Sequence, residues 1–205
     1  MHRLLTALAA LSLLSVPVQA APAAAPPVSA DLVMGRPGAP VLIEEFASMS
    51  CIHCARFANE VFPALKARYI DTGRARYVMR PLLTPPQNIA AAGFLLARCA
   101  GPKGYYKVVE GFFRRQDEAY RSGDVRSALI AAAEEGGVSG PAFNACLSDA
   151  KGHEALDAEL EKAAGRDVDS TPTFFFNGVK AKAGEMTLEE IDAAYAAALK
   201  AGKKP

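Results

Sequence analysis

The sequence predicts an α/β fold in which a small sheet is interrupted by an all-helical insertion. Three observations carry this. Short apolar, strand-like runs stand at 41–46 and 76–79. A stretch of Ala-rich helical periodicity, without a good strand, fills 85–166. Strand character then returns at 171–177. The order βαβ, helices, ββα is met most economically by one sheet split around inserted helices.

At the N-terminus, Arg3 supplies a positive start, residues 4–14 an apolar run, and Val18-Gln19-Ala20 a small-residue cleavage site. This is the pattern of an export signal cleaved near Ala20. Its apolar run falls short of the about 20 residues a bilayer span needs, and no later stretch is long enough either. An uncleaved anchor is the alternative. Without residues 1–20 the chain keeps 185 residues, enough for one well-cored domain, with 22 basic and 22 acidic side chains. No basic block or aromatic–basic interleaving points to nucleic acid. Residues 21–29 (APAAAPPVS) read as an extended Pro/Ala tether.

Strand 41–46 is bounded by Gly38 and Pro40. Beyond it, Phe57, Val61, Phe62 and Leu65 give residues 55–68 a helical period, with a kink expected at Pro63 because proline lacks the amide donor. Strand 76–79 ends at Pro81. Helical segments at 87–100, 104–120, 124–135, 140–148 and 152–164 follow, broken by Gly or Pro. Strand 171–177 turns at Gly178 and resumes at 179–183. A last amphipathic helix at 188–199 follows a Thr187-x-x-Glu190 capping box.

Cys51 and Cys54, with two residues between them, sit in SMSCIHCARF between strand 41–46 and the start of a helix. A helix N-terminus offers unpaired amides and positive dipole, and so favours a thiolate. His53 between the cysteines is placed to add charge or a hydrogen bond to the Cys51 sulfur. Lowering a thiol from ~8.5 to ~4 favours the reduced dithiol by about 4 kcal/mol at pH 7, roughly 90 mV toward an oxidant. Two other readings compete. A zinc site would need further ligands, and the remaining candidates, Cys99, Cys146, His2 and His153, are poorly spaced for one. A structural staple is the second, although so short a loop constrains the unfolded chain little. In an exported chain Cys99 and Cys146 most simply pair with each other. The alternative is a second, electron-relaying pair.

Glu45-Phe46-x-Ser48-x-x-Cys51-Ile52-His53-Cys54-Ala55-x-Phe57, a helical insert, and Thr171-Pro172-Thr173-Phe174 together resemble the DsbA-like thiol-disulfide oxidoreductases. The resemblance runs from about Val28 to Leu199. It implies a thioredoxin-like fold interrupted by an all-helical insertion, with 30–84 and 167–205 as its two parts and 85–166 inserted. It also implies roles. Cys51 forms mixed disulfides, Cys54 resolves them, and Pro172 is a cis-proline facing the dithiol, leaving Thr171 to pair with an extended substrate. Glu45 is the buried acid beneath the dithiol. Strand alternation allows only one of Glu44 and Glu45 to face it. Arg76 and Arg80 are candidates for the acid's basic partner. Ile52 stands where proline often precedes the histidine, so the strength of the oxidant is left open.

The resemblance implies a periplasmic, monomeric protein disulfide oxidase. It acts on reduced, unfolded exported proteins and is reoxidised by a quinone-linked membrane protein, without cofactor or metal. A disulfide isomerase or reductase, kept reduced by a membrane electron donor, is the alternative. A non-catalytic binding module stapled by two disulfides is a third.

Overall fold

The computed structural model describes residues 32–202; the expected leader (1–20) and tether (21–29) lie outside the described residues. Four strands form one sheet in the order β2-β1-β3-β4. β1 (Val41–Ala47) runs parallel to β2 (Ala75–Pro81) and antiparallel to β3 (Thr173–Phe176), and β3 pairs antiparallel with β4 (Val179–Ala183). β1 is therefore central and covered on both faces, which is why every residue of VLIEEFA except Leu42 is buried, Glu44 and Glu45 included.

Between β1 and β2, α1 (Ile52–Glu60) stops at Val61 and the chain re-enters a short helix, α2 (Phe62–Leu65), followed by a wider π-type turn over Lys66–Ile70. Pro63 stands in the first turn of α2, where its missing amide removes no helical hydrogen bond. The expected interruption falls at Val61, two residues before the proline, where the backbone keeps right-handed helical torsions (φ −110°, ψ −42°).

Five helices then form the insertion: α3 (Gln87–Cys99), α4 (Gly101–Ser122), α5 (Val125–Glu135), α6 (Pro141–Leu147) and α7 (Ala150–Ala164). A disulfide between Cys99 and Cys146 ties the end of α3 to α6, with Cα atoms 5.8 Å apart. Gly93 on α3 lets this layer press onto the loop before Cys51. A Cβ added there would come within 2.9 Å of Met49 Cβ.

β3 is shorter than the apolar run 171–177. Thr171–Pro172 is a cis peptide preceding the strand, and Asn177 and Gly178 take positive φ (49° and 80°) as the two-residue turn of the β3–β4 hairpin. α8 (Leu188–Gly202) closes the chain. Its cap forms both reciprocal bonds: Thr187 N–H donates to Glu190 Oε2 (2.9 Å), and Glu190 N–H to Thr187 Oγ1 (3.3 Å).

The two sheet faces differ. One carries Ile43, Tyr77, Met79, Phe174 and Phe176 into the main core, shared with α1, α2, the insertion and α8; the other buries a smaller patch of Phe46, Phe175 and Ala163. Among the described residues no helix is long and apolar enough to cross a membrane.

Candidate active site

The loop from β1 to α1 is fixed from two directions before it delivers Cys51. Ser50 Oγ donates to Thr84 O (2.7 Å), and Thr84 N–H donates to Ser48 Oγ (3.2 Å). From the insertion, α4 supplies Gln116 Nε2 to Met49 O (2.8 Å) and the Tyr120 hydroxyl to Ser50 O (3.1 Å). The inserted helices therefore hold the backbone on which the dithiol stands.

Cys51 is the residue before α1, in extended conformation (φ −82°, ψ 121°), and the helix begins at Ile52. It is a free, half-buried thiol, while Cys54, one turn inside the helix, is free and buried. The Cys51 sulfur lies 3.4 Å from the carbonyl oxygen of Thr171, across the cleft. Gly184 N–H donates to Pro172 O (2.7 Å), pinning the cis-peptide loop to the end of β4.

This placement separates the two thiols electrostatically. A hydrogen bond from the Cys54 thiol lowers the Cys51 pKa first. Partial burial opposes it, and the Thr171 side chain and the amides of Cys54 and His53 add to it, so that the group falls to about 5. Cys54 moves the other way, well above the ordinary thiol range, because burial penalises its charge and because it is the donor to Cys51. The result is one thiolate at the surface and one protonated thiol beneath it.

His53 does not face the sulfur. Its ring is exposed, and Nδ1 lies 2.6 Å from Glu185 Oε1, which also accepts from Arg56 Nη1 (3.1 Å). The backbone amide of His53 is what reaches Cys51, rather than the imidazole that sequence reasoning placed there.

Glu45 and Glu44 are both buried, on opposite faces of β1. Glu44 is bound by Arg80 (Nη2 to Oε1, 2.9 Å), with Arg166 Nη2 3.4 Å from its Oε2. Glu45 is on the dithiol face, where burial first, tempered by a hydrogen bond from Tyr77, and the nearby Cys51 charge push its pKa up to about 8. Its donor is the Tyr77 hydroxyl (2.6 Å to Oε2), so the expected basic partner is replaced by a phenol. Arg80, one candidate for that partner, serves Glu44 instead.

The structure thus brings Cys51, Cys54, Glu45, Thr171 and Pro172 to one cleft, sets His53 at its rim, and keeps Cys99–Cys146 in the insertion. Gln116, Tyr120, Tyr77 and Glu185 were not found from sequence. Gln116 and Tyr120 carry no signal there beyond their place on a helix, and Glu185 lies 132 residues from His53. A group with a stabilised thiolate, a buried resolving thiol and a protonatable acid next to it is equipped for thiol–disulfide exchange.

Comparison with known proteins agrees with this geometry. A family model described as thioredoxin matches residues 28–195. A Rickettsia typhi protein provisionally named protein-disulfide oxidoreductase is 34% identical over 152 residues, covering 73% of this chain and 56% of that protein. A Rickettsia felis protein with the same provisional name is 32% identical over 176 residues, covering 85% of this chain and 62% of its own. The chain therefore spans little more than half the length of these curated relatives. Among solved structures, Wolbachia pipientis alpha-DsbA1 superposes with a TM-score of 0.72 at 28% identity, covering 85% of this chain and 96% of that one. Chlamydia trachomatis DsbA shares the fold, with a TM-score of 0.67 at 21% identity, covering 88% and 96%.

Proposed function

The chain belongs to the thioredoxin family, with DsbA-like architecture, and we propose that it is a thiol–disulfide oxidoreductase donating its Cys51–Cys54 disulfide to reduced, unfolded exported proteins. The observation that carries this is the opposed environment of the two thiols, with Cys51 held near 5 and Cys54 well above its ordinary value. A substrate thiolate attacks Cys51 Sγ, the Cys51–Cys54 bond breaks, and Cys54 departs with the electron pair. Cys54 favours its protonated form, and the neutral Glu45 carboxyl beneath it supplies the proton and is reprotonated from solvent. A second substrate thiolate then attacks the substrate sulfur of the mixed disulfide, forming the new protein disulfide and releasing Cys51 as a stabilised thiolate. The substrate dithiol is oxidised by two electrons and this protein is reduced by two. Thr171, whose carbonyl faces Cys51, offers backbone groups to an extended substrate strand.

In this reading the protein works in the periplasm as a monomer, and a quinone-linked membrane partner restores the disulfide. One observation favours a second reading, an isomerase or reductase. His53 is turned to Glu185, which removes one stabiliser of the thiolate and with it part of the oxidising power.

The test is transfer to a reduced, unfolded ribonuclease. Oxidised wild-type protein is expected to yield one substrate disulfide per dithiol formed and Cys51→Ser to transfer none, whereas Cys54→Ser, offered ribonuclease that already carries disulfides, should accumulate a mixed disulfide at Cys51 as one substrate thiolate is expelled. Transfer by Cys51→Ser at the wild-type rate would refute the assignment.

A further inference from the structure

Glu45 has a neutral neighbour where a counter-charge was expected. In the parallel register Ile43 faces Tyr77 and Glu45 faces Met79, so Tyr77 is the diagonal neighbour of Glu45 on the same sheet face. Both residues are 1% exposed, and the phenol donates to Oε2 at 2.6 Å. Oε1 has no hydrogen-bond partner. The Tyr77 ring is wedged between Phe62 (4.7 Å between centroids) and Tyr106 (6.0 Å). Tyr106 does not compete for the acid, because its hydroxyl already donates to Leu32 O (2.8 Å) and accepts from Met79 N–H (3.1 Å).

The other elements around Glu45 complete its surroundings. α1 brings the titrating groups Cys51 and Cys54, whose charges interact with Glu45, and α4 brings Tyr106. β3 places Phe174 opposite it, and α2 contributes only the Phe62 ring against Tyr77. The guanidinium of Arg80 binds Glu44, on the other face of β1.

We propose that Tyr77 is the positioning residue for proton transfer at Cys54: its hydroxyl anchors Glu45 Oε2 and leaves Oε1 as the single oxygen that exchanges the proton. The inference rests on the exchange chemistry assigned above. In the return half-reaction, Cys51 thiolate attacks an external disulfide, forming a mixed disulfide and expelling one thiolate. Glu45 carboxylate accepts the Cys54 proton on Oε1. Cys54 thiolate then attacks the Cys51 sulfur, closing the internal disulfide and releasing the second external thiolate. The external disulfide is reduced by two electrons and the dithiol oxidised by two. A phenol stabilises the carboxylate through one hydrogen bond without neutralising it. The acid therefore titrates close to the working pH instead of being locked in its charged form.

The test uses the reduced protein and glutathione disulfide, following resolution of the glutathionylated Cys51 intermediate by rapid mixing and acid quench as a function of pH. In wild type the resolution rate is expected to rise through about pH 8 as Glu45 ionises. Tyr77→Phe keeps the ring and removes the donor, so the carboxylate is less stable, and the inflection is expected to move up by about 1 to 2 pH units. Below pH 8 the rate then falls roughly 10- to 100-fold. Glu45→Gln is expected to lack the inflection, and adding Tyr77→Phe to it should leave the profile unchanged.

If wild type and Glu45→Gln share one profile, the acid role fails and this proposal with it. If they differ and Tyr77→Phe follows wild type, even with a lowered melting temperature, only the Tyr77 assignment is overturned. A readout in wild type does not depend on any variant folding: the ring Cζ of Tyr77 and the Cδ of Glu45, observed by carbon-13 NMR, should titrate with one midpoint. Separate midpoints would overturn the proposal.

Discussion

The two cysteine pairs of this chain have the same elements and opposite surroundings. Cys51 and Cys54 stand three residues apart at the mouth of a helix, with a carbonyl, backbone amides and a buried acid arranged around them. Cys99 and Cys146 lie 47 residues apart and join two helices of the insertion. In the first pair the Cys54 thiol and the backbone amides stabilise the Cys51 thiolate and so favour the reduced form. The second closes a long loop, which in the chain-entropy picture stabilises the folded state through its oxidised form. What a disulfide does is set by which redox state the fold supports, and cysteine spacing reports that only in part.

The largest effect on stability should come from Cys99–Cys146. Cys99→Ser together with Cys146→Ser is expected to cost about 4 kcal/mol from loop closure, a fall of roughly 10 °C in melting temperature. The Cys51–Cys54 potential should stay unchanged. A potential that moved with this variant would show the pairs to be coupled and would break the contrast.

A smaller effect, of opposite sign, is expected at Cys51–Cys54, where the reduced protein should be more stable than the oxidised. Cys51 is depressed from its ordinary value to about 5, so its contribution is complete only above the unfolded-state pKa, is partly present at pH 7, and is lost as pH falls through about 5. Discounted for its half-exposed sulfur, it amounts to about 1–2 kcal/mol at pH 7, roughly 5 °C. Glu45 has the reverse dependence: its pKa is raised to about 8, so its contribution is present at low pH and fades as pH rises through that value. The gap between reduced and oxidised melting temperatures, measured from pH 4 to 8, isolates the cysteine contribution. It should shrink toward the acid end; a constant gap would contradict the thiolate account.

The same contrast runs through what could be read from the sequence. Periodicity located every helix of the insertion to within a few residues, because Gly and Pro punctuate each one, and the Thr187–Glu190 box marked the start of α8. Cys51, Cys54 and Thr171-Pro172 carry local signatures, and their meeting in one cleft follows from the sheet order. What stayed hidden are the partners chosen by tertiary contact. Strand alternation separated Glu45 from Glu44, yet a search for an opposite charge could not find Tyr77, whose hydroxyl meets the acid only once the parallel register is fixed. His53 was read from its neighbours in sequence, whereas its ring follows Glu185 from the loop after β4. The hold of Gln116 and Tyr120 on the active-site loop needs the packing of α4, which no local pattern encodes.

The most direct test of the central claim, that the fold favours the reduced state at Cys51–Cys54, is the redox equilibrium of that pair with glutathione, leaving Cys99–Cys146 intact. A reduction potential near about −120 mV is the expected result, that of a ready disulfide donor. A value near about −270 mV would contradict it and identify a reductant instead.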